Sequence, residues 1–197
     1  MATISLASDI KKVVKQLDSL QRKQVPYATA LALNDVAFEA RKAEQNAQRR
    51  YLDRPVRFTQ TGFFVGKANK RKLTATIEIP ANRWKYIRHQ VEGGASTRAS
   101  GFHAIPLDKS IQNKYGGMPR NKSRTLLKRK GHFVAKSGNT NILFKRQGKQ
   151  VTPLIAFKRT TVQNKIYPVW KAATRVVESK FKHSFDKRMA HALRTAR

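Results

Sequence analysis

Apolar positions switch between helical and strand periods along the chain. Ile10, Val13, Val14, Leu17 and Leu20 follow i, i+3, i+4, i+7 spacing, which predicts a short amphipathic helix capped by Ser8 and ending near Arg22. Pro26 then stands where an N1 proline belongs, and the Ala-rich run from Tyr27 to about Tyr51 has no internal Gly or Pro, so a long helix is expected there. Its face Ala30, Leu33, Ala37 and Ala40 is small enough to admit a second helix closely. Its far end, Arg41 to Arg50, is mostly polar and is expected to be wet.

From Arg54 the period falls to two. Pro55, Gly62 and Gly66 punctuate short runs, and Leu73, Ala75, Ile77 and Ile79 alternate with polar residues, as a half-buried strand does. Phe63-Phe64-Val65 is the expected pairing strand, and the intervening Lys67 to Lys72 turn carries four cations at its tip. That tip reads either as a solvated hairpin turn or as a specific anion contact. Asn82 is placed to cap a short helix through Trp84, Ile87 and Val91, which Gly93-Gly94 ends.

A crossover rich in Gly, Ser and Thr follows, then a short extended piece, Ala104-Ile105-Pro106-Leu107, and a loop leading into a helix with Pro119 at N1. Phe133 to Lys136 and Ile142 to Lys145 form a hairpin pattern, with Val151 to Lys158 as a third strand in which Pro153 belongs at an edge or at the start. After Tyr167-Pro168, the positions Val169, Ala172, Ala173, Val176, Val177, Phe181, Phe185, Met189 and Leu193 keep helical spacing almost to Arg197. The expected class is α+β: a small, mostly antiparallel sheet flanked by long N-terminal and C-terminal amphipathic helices. One domain over 1–197 is expected, with a helical part at 1–52, a basic β-rich middle at 53–165 and a helix at 166–197.

Charge narrows the function. Among 197 residues, 42 Lys plus Arg stand against 11 Asp plus Glu, a formal charge of +31. Self-repulsion at that charge opposes folding and self-packing, so a polyanionic partner is implied: nucleic acid, an acidic protein surface or an anionic membrane. No uncharged stretch approaches the roughly 20 residues of a membrane span, and the first nine residues lack a basic n-region, so an intracellular, unprocessed protein without membrane partners is expected.

Enzymatic chemistry finds little to work with. Cysteine is absent, which removes disulfides, thiolate zinc sites and Cys nucleophiles together. No Asp or Glu occurs from Lys109 through Val177, so neither a carboxylate metal cluster nor a glycosidase pair is in view. Asp35 and Glu39 read as an ordinary helix-face pair beside Arg41 and Lys42. His89, His103, His132, His183 and His191 show no ligand spacing, and no phosphate-cradling Gly motif appears. The reading is a non-enzyme with no catalytic residues, metal or cofactor.

What remains is basic density spread through predicted turns. Lys70, Arg71 and Lys72, then Lys128, Arg129 and Lys130, then Lys145, Arg146 and Lys149 are the candidate polyanion contacts. Dispersed cations follow a phosphate backbone without reading bases. Phe181, Phe185, Met189 and Leu193 are the candidate oligomer or partner contacts, because they extend past what a small core needs.

A family likeness accompanies these features. The phrase Val25-Pro26-Tyr27-Ala28-Thr29-Ala30-Leu31-Ala32-Leu33-Asn34, the basic middle and the helix after Tyr167-Pro168 together resemble tail-completion proteins of tailed phages, the minor tail protein Z-like family. Gln90-Val91-Glu92-Gly93-Gly94, Ile105-Pro106-Leu107 and the loop from Asn113 to Arg120 are similar to phage neck and tail proteins of this size. The resemblance implies a structural virion protein, assembled in the host cytoplasm, that sits as a homo-oligomeric ring at the head–tail junction or upper tail. There it would bridge other neck and tail proteins and face DNA. The alternative is a cellular DNA- or RNA-binding protein without sequence preference, ribosome- or nucleoid-associated.

Overall fold

The computed structural model describes residues 2–7 and 19–195. Its class is α+β, with helices and exclusively antiparallel strand pairs. The chain folds as two compact units. One comprises residues 1–51, 57–88 and 167–197, and the other residues 52–56 and 89–166. The first unit therefore unites both ends of the chain, and the second holds most of the basic middle.

In the first unit, β1 (Ala2–Ala7) pairs with β3 (Thr74–Ile79), which also pairs with β2 (Phe64–Gly66), giving the order β1-β3-β2. Central β3 buries Ala75, Ile77 and Ile79 on one face, as their alternation requires. Helix α1 (Ser19–Tyr51) packs on β3 and also along the last helix, α5 (Lys171–Thr195). Ala28, Ala32, Leu33, Val36, Ala37 and Ala40 of α1 are buried, with little side-chain bulk to hold the elements apart. Asp35 meets Arg188, Glu39 meets Lys180 and Glu44 meets Ala173, so α1 and α5 run antiparallel. The helical pair Asp35 and Glu39 thus faces cations of α5 as well as its own helix.

Two expectations about this helix change. The short helix expected before Arg22 falls largely outside the described residues, but from Ser19 the chain is already helical and runs through Pro26 without a break. Proline lacks the N–H for the carbonyl four residues earlier, a loss of about 3 kcal/mol in a helix interior. Burial of Val25, Ala28 and Thr29 in the same turn offsets it, and the Thr29 hydroxyl donates to the Val25 carbonyl at 2.8 Å. The far end of α1 is not wet throughout: Glu44 and Gln48 are fully buried.

A four-residue helix, α2 (Arg57–Gln60), precedes β2, and α3 (Ala81–Glu92) follows β3. Helix α3 opens one residue before Asn82, with the Pro80 carbonyl accepting the Arg83 and Trp84 amides, and ends at Gly93 with φ of 78° as expected.

The second unit contains a ribbon and a sheet. The ribbon pairs β4 (Gly94–Thr97) with β9 (Thr160–Gln163). The sheet has the order β5-β8-β7-β6, built from β5 (His103–Pro106), β6 (His132–Ser137), β7 (Thr140–Gln147) and β8 (Gln150–Lys158). Leu143, Leu154 and Ile155 form its core with Ile111 of a 3-10 turn and Leu126 of α4 (Lys122–Leu127). Pro153 lies inside β8, not at its start. It is tolerated because the pairing slips there, so that Leu143 faces Ile155 and Phe144 faces Pro153, and because β5 pairs only from Ile155 onward. Pro119 does not open α4; its carbonyl closes a turn with the Lys122 amide, and Asn121 at φ of 63° separates that turn from the helix.

Candidate polyanion-facing surface

The β2–β3 turn holds the first cationic group. Asn69 accepts the Arg71 and Lys72 amides on its side-chain oxygen, at 2.9 and 2.8 Å, which fixes the turn locally. The turn is also tied to α1: the Asn34 amide side chain grips Ala68 in both directions, accepting its N–H at 2.7 Å and donating to its carbonyl at 3.0 Å. Lys67 lies over Phe38 and Lys70 over Tyr27, with 5.6 and 4.9 Å to the ring centroids. Lys70, Arg71 and Lys72 are exposed on a held loop.

In the second unit the structure brings two stretches together. The Arg146 amide donates to the Gly131 carbonyl at 2.7 Å, and His132 pairs with Lys145 across β6 and β7. Lys128, Arg129 and Lys130 therefore lie beside the end of β7, where Arg146 is on the strand and Lys149 in the turn that follows it, and all five are exposed. Gly131 permits this approach with φ of 78°; a Cβ there would stand 3.1 Å from the Arg146 carbonyl oxygen. Arg146 also covers Phe133, which stacks on Phe144.

Lys145 departs from the group. It is half-buried, and its charge adds to the lowering of the Asp108 carboxyl, which is held below the usual carboxylate range mainly by hydrogen bonding from Ser110. Lys70 to Lys72 belong to the other unit.

Of the expected partner contacts, Phe181, Phe185 and Met189 are half-buried, Phe181 stacks on Phe185 at 6.1 Å, and Leu193 is exposed. Ala173 and Ala192, near the two ends of α5, are its fully buried residues.

Three features had not been expected from the sequence. A cleft of about 240 Å³ between the end of α1 and the start of α5 is lined by Arg50, Lys171 and Arg175 with Asn46 and Tyr51, and no carboxylate among the described residues lines it. Beside it, buried Glu44 accepts the Tyr167 hydroxyl at 2.6 Å and the Ala173 amide at 2.9 Å, so it secures the start of α5. Burial, then the Glu44 carboxylate, pushes the Tyr167 phenol far up from its ordinary value. The third is an exposed aromatic group: Phe58 sits edge-on to Tyr86, and Arg83 lies 4.1 Å from the Phe58 centroid and 5.4 Å from that of Phe64. Phe64 is paired across β2 and β3 with Glu78. The spacing of Phe58, Phe64 and Tyr86 has no period, which hides this group in the sequence.

Among the described residues, no three His, Asp or Glu side chains converge as a metal site, and no helix is long and apolar enough to cross a membrane. Comparison of the chain with family models, curated proteins and solved structures finds no match.

Proposed function

We propose that the protein is a structural component of a tailed-phage virion, acting in tail completion or at the head–tail junction. In this reading it forms a ring, bridges neighbouring neck and tail proteins, and lies against DNA through its basic loops. One observation carries the proposal: five exposed cations from two separate stretches, Lys128 to Lys130 and Arg146 with Lys149, are stitched to one end of a sheet. The carboxylates of that unit are only Asp53, Glu92 and Asp108. Asp53 is held by Arg54, and Asp108 by Ser110. Such a surface favours phosphates through counterion release, a contact that carries no base-sequence information. Leu193 and the half-buried Phe181, Phe185 and Met189 supply an apolar margin for a neighbouring virion protein.

The exposed Phe58, Tyr86 and Arg83 group favours a second reading, a cellular protein that binds single-stranded nucleic acid by stacking. Binding of unrelated duplexes and of single strands, measured from low to physiological salt, separates the two. The virion reading expects duplex binding without sequence preference and with a steep salt slope. Replacing Lys128, Arg129 and Lys130 by Gln should leave folding intact and flatten that slope by about 0.9 for each lost phosphate contact. Sequence preference, salt-insensitive binding or an unchanged slope in the triple variant would reject the basic-loop assignment.

A further inference from the structure

The ribbon of β4 and β9 carries no charge on either strand. No charged side chain occurs in 93–97 or in 160–164, although 27% of all residues are charged and Glu92, Arg98, Arg159 and Lys165 stand immediately outside. Among the described residues the ribbon has two strands, so each has one edge to which no other described strand pairs. Proteins usually protect such edges with lysine, proline or a bulge. None of these occurs in Gly94–Thr97 or Thr160–Gln163, and their register is regular.

The hydrogen-bond phase of the ribbon shows which groups face outward. The Arg98 amide donates to the Arg159 carbonyl at 3.1 Å, which makes that pair a hydrogen-bonded one. Antiparallel pairs alternate, so Ser96 with Thr161 and Gly94 with Gln163 are also hydrogen-bonded, whereas Thr97 with Thr160 and Ala95 with Val162 are not. Side chains approach most closely in the latter kind of pair, and the Thr97 and Thr160 hydroxyls lie 2.9 Å apart, in agreement. The backbone N–H and C=O groups of Ala95 and Thr97 therefore point out from β4, and those of Thr160 and Val162 out from β9. Val162 is 77% exposed, the most of any large apolar residue described.

We infer that this ribbon is a strand-addition site for a second copy of the same chain, the outer edge of β4 in one copy pairing with the outer edge of β9 in the next. Each edge offers two donors and two acceptors, so the two edges are complementary. Copies carrying +31 repel each other, and the ribbon is a backbone surface whose strands place no charge opposite one another, the cations Arg98, Arg159 and Lys165 being confined to its ends beside Glu92. Because the edges differ, the contact is head-to-tail and propagates from copy to copy, as closure into a ring requires. The inference rests on the self-assembly part of the proposed function and names the surface that performs it.

The experiment uses the full chain at physiological salt, with mass measured by light scattering at a few tens of micromolar. Val162→Pro removes an outward N–H from β9, and Ala95→Pro removes one from β4, while the hydrogen-bonded pairs inside the ribbon keep their donors. The parent is expected to exceed the mass of one chain, and each variant alone to fall to that mass. An equimolar mixture should then form dimers and nothing larger, since each partner retains only the edge that the other lacks. Amide exchange of the parent gives a reading that needs no variant: Ala95, Thr97, Thr160 and Val162 should become protected on assembly. If the parent assembles and both variants assemble equally, the ribbon assignment is wrong and ring formation stands on another surface. A parent that stays monomeric overturns both, and dimers of either variant alone overturn head-to-tail pairing. Parent complexes that contain only a different protein on these edges overturn the identity of the partner.

Discussion

Glu44 is a residue whose role emerges only when the chain has folded. It lies in the polar far end of α1, yet Ala40, Glu44 and Gln48 follow at four-residue intervals and continue the buried stripe of Leu33, Val36 and Ala37. That continuation was the available signal; composition masked it. The carboxylate receives two donors from the beginning of α5, and removing it strands both. Glu44→Ala should therefore destabilise the fold by about 3 kcal/mol or more, and Tyr167→Phe by about 1.5–3 kcal/mol, read from urea unfolding. Tyr167 adds a pH dependence. Its folded pKa is raised above the unfolded value of about 10, so its contribution is complete below that pH and is lost as pH rises toward the folded value. The parent should lose stability above about pH 10 more steeply than Tyr167→Phe, a difference that unfolding at pH 9 and pH 11 would reveal.

At the level of elements, α5 carries two kinds of apolar position that the helical period alone does not separate. Ala192 is buried against its own unit, and Leu193, one residue on, is half in solvent. Ala192→Leu should cost about 1–3 kcal/mol by overpacking, whereas Leu193→Gln should change stability by less than about 0.5 kcal/mol. Thermal unfolding of the two variants checks the assignment. Helix α1, strand β3 and the β6–β7 hairpin were legible because each displays its own period and its own punctuation. The β4–β9 ribbon was not. Its small polar residues have no apolar alternation, and its two strands are separated by more than sixty residues, so only tertiary structure pairs them. Strand β1 escaped for a related reason: its partner, β3, lies far downstream, with Ala2 opposite Ile79 and Ala7 opposite Thr74. The basic candidates were legible as clusters, but the convergence of Lys128 to Lys130 with Arg146 and Lys149 depends on the register that pairs His132 with Lys145 and on the backbone bond from Arg146 to Gly131. Strand alternation turns Lys145 and Arg146 to opposite faces, but which of those faces is covered depends on tertiary packing and not on the sequence pattern.

For the whole molecule, the excess of 42 cations over 11 acids makes salt a determinant of stability. Screening shortens the range of repulsion from about 30 Å at 0.01 M to about 8 Å at 0.15 M. The thermal midpoint should therefore rise as sodium chloride is increased over that interval, opposite to a fold held mainly by surface ion pairs. Calorimetry at fixed pH checks the sign; a falling midpoint would mean that the few ion pairs, such as Arg188 with Asp35, outweigh the net charge.

The pairing of α1 with α5 also imposes an order in time. Asp35 and Arg188 are 153 positions apart, whereas the second unit is almost continuous in sequence, so it alone can close while the chain is still being made. About 120 residues separate the end of α1 from the start of α5, a wait of roughly 6–24 s at typical synthesis rates of about 5–20 residues per second. Through that interval the alanine face of α1 has no α5 to cover it, and the speed of translation sets how long the nascent chain must be kept from its neighbours.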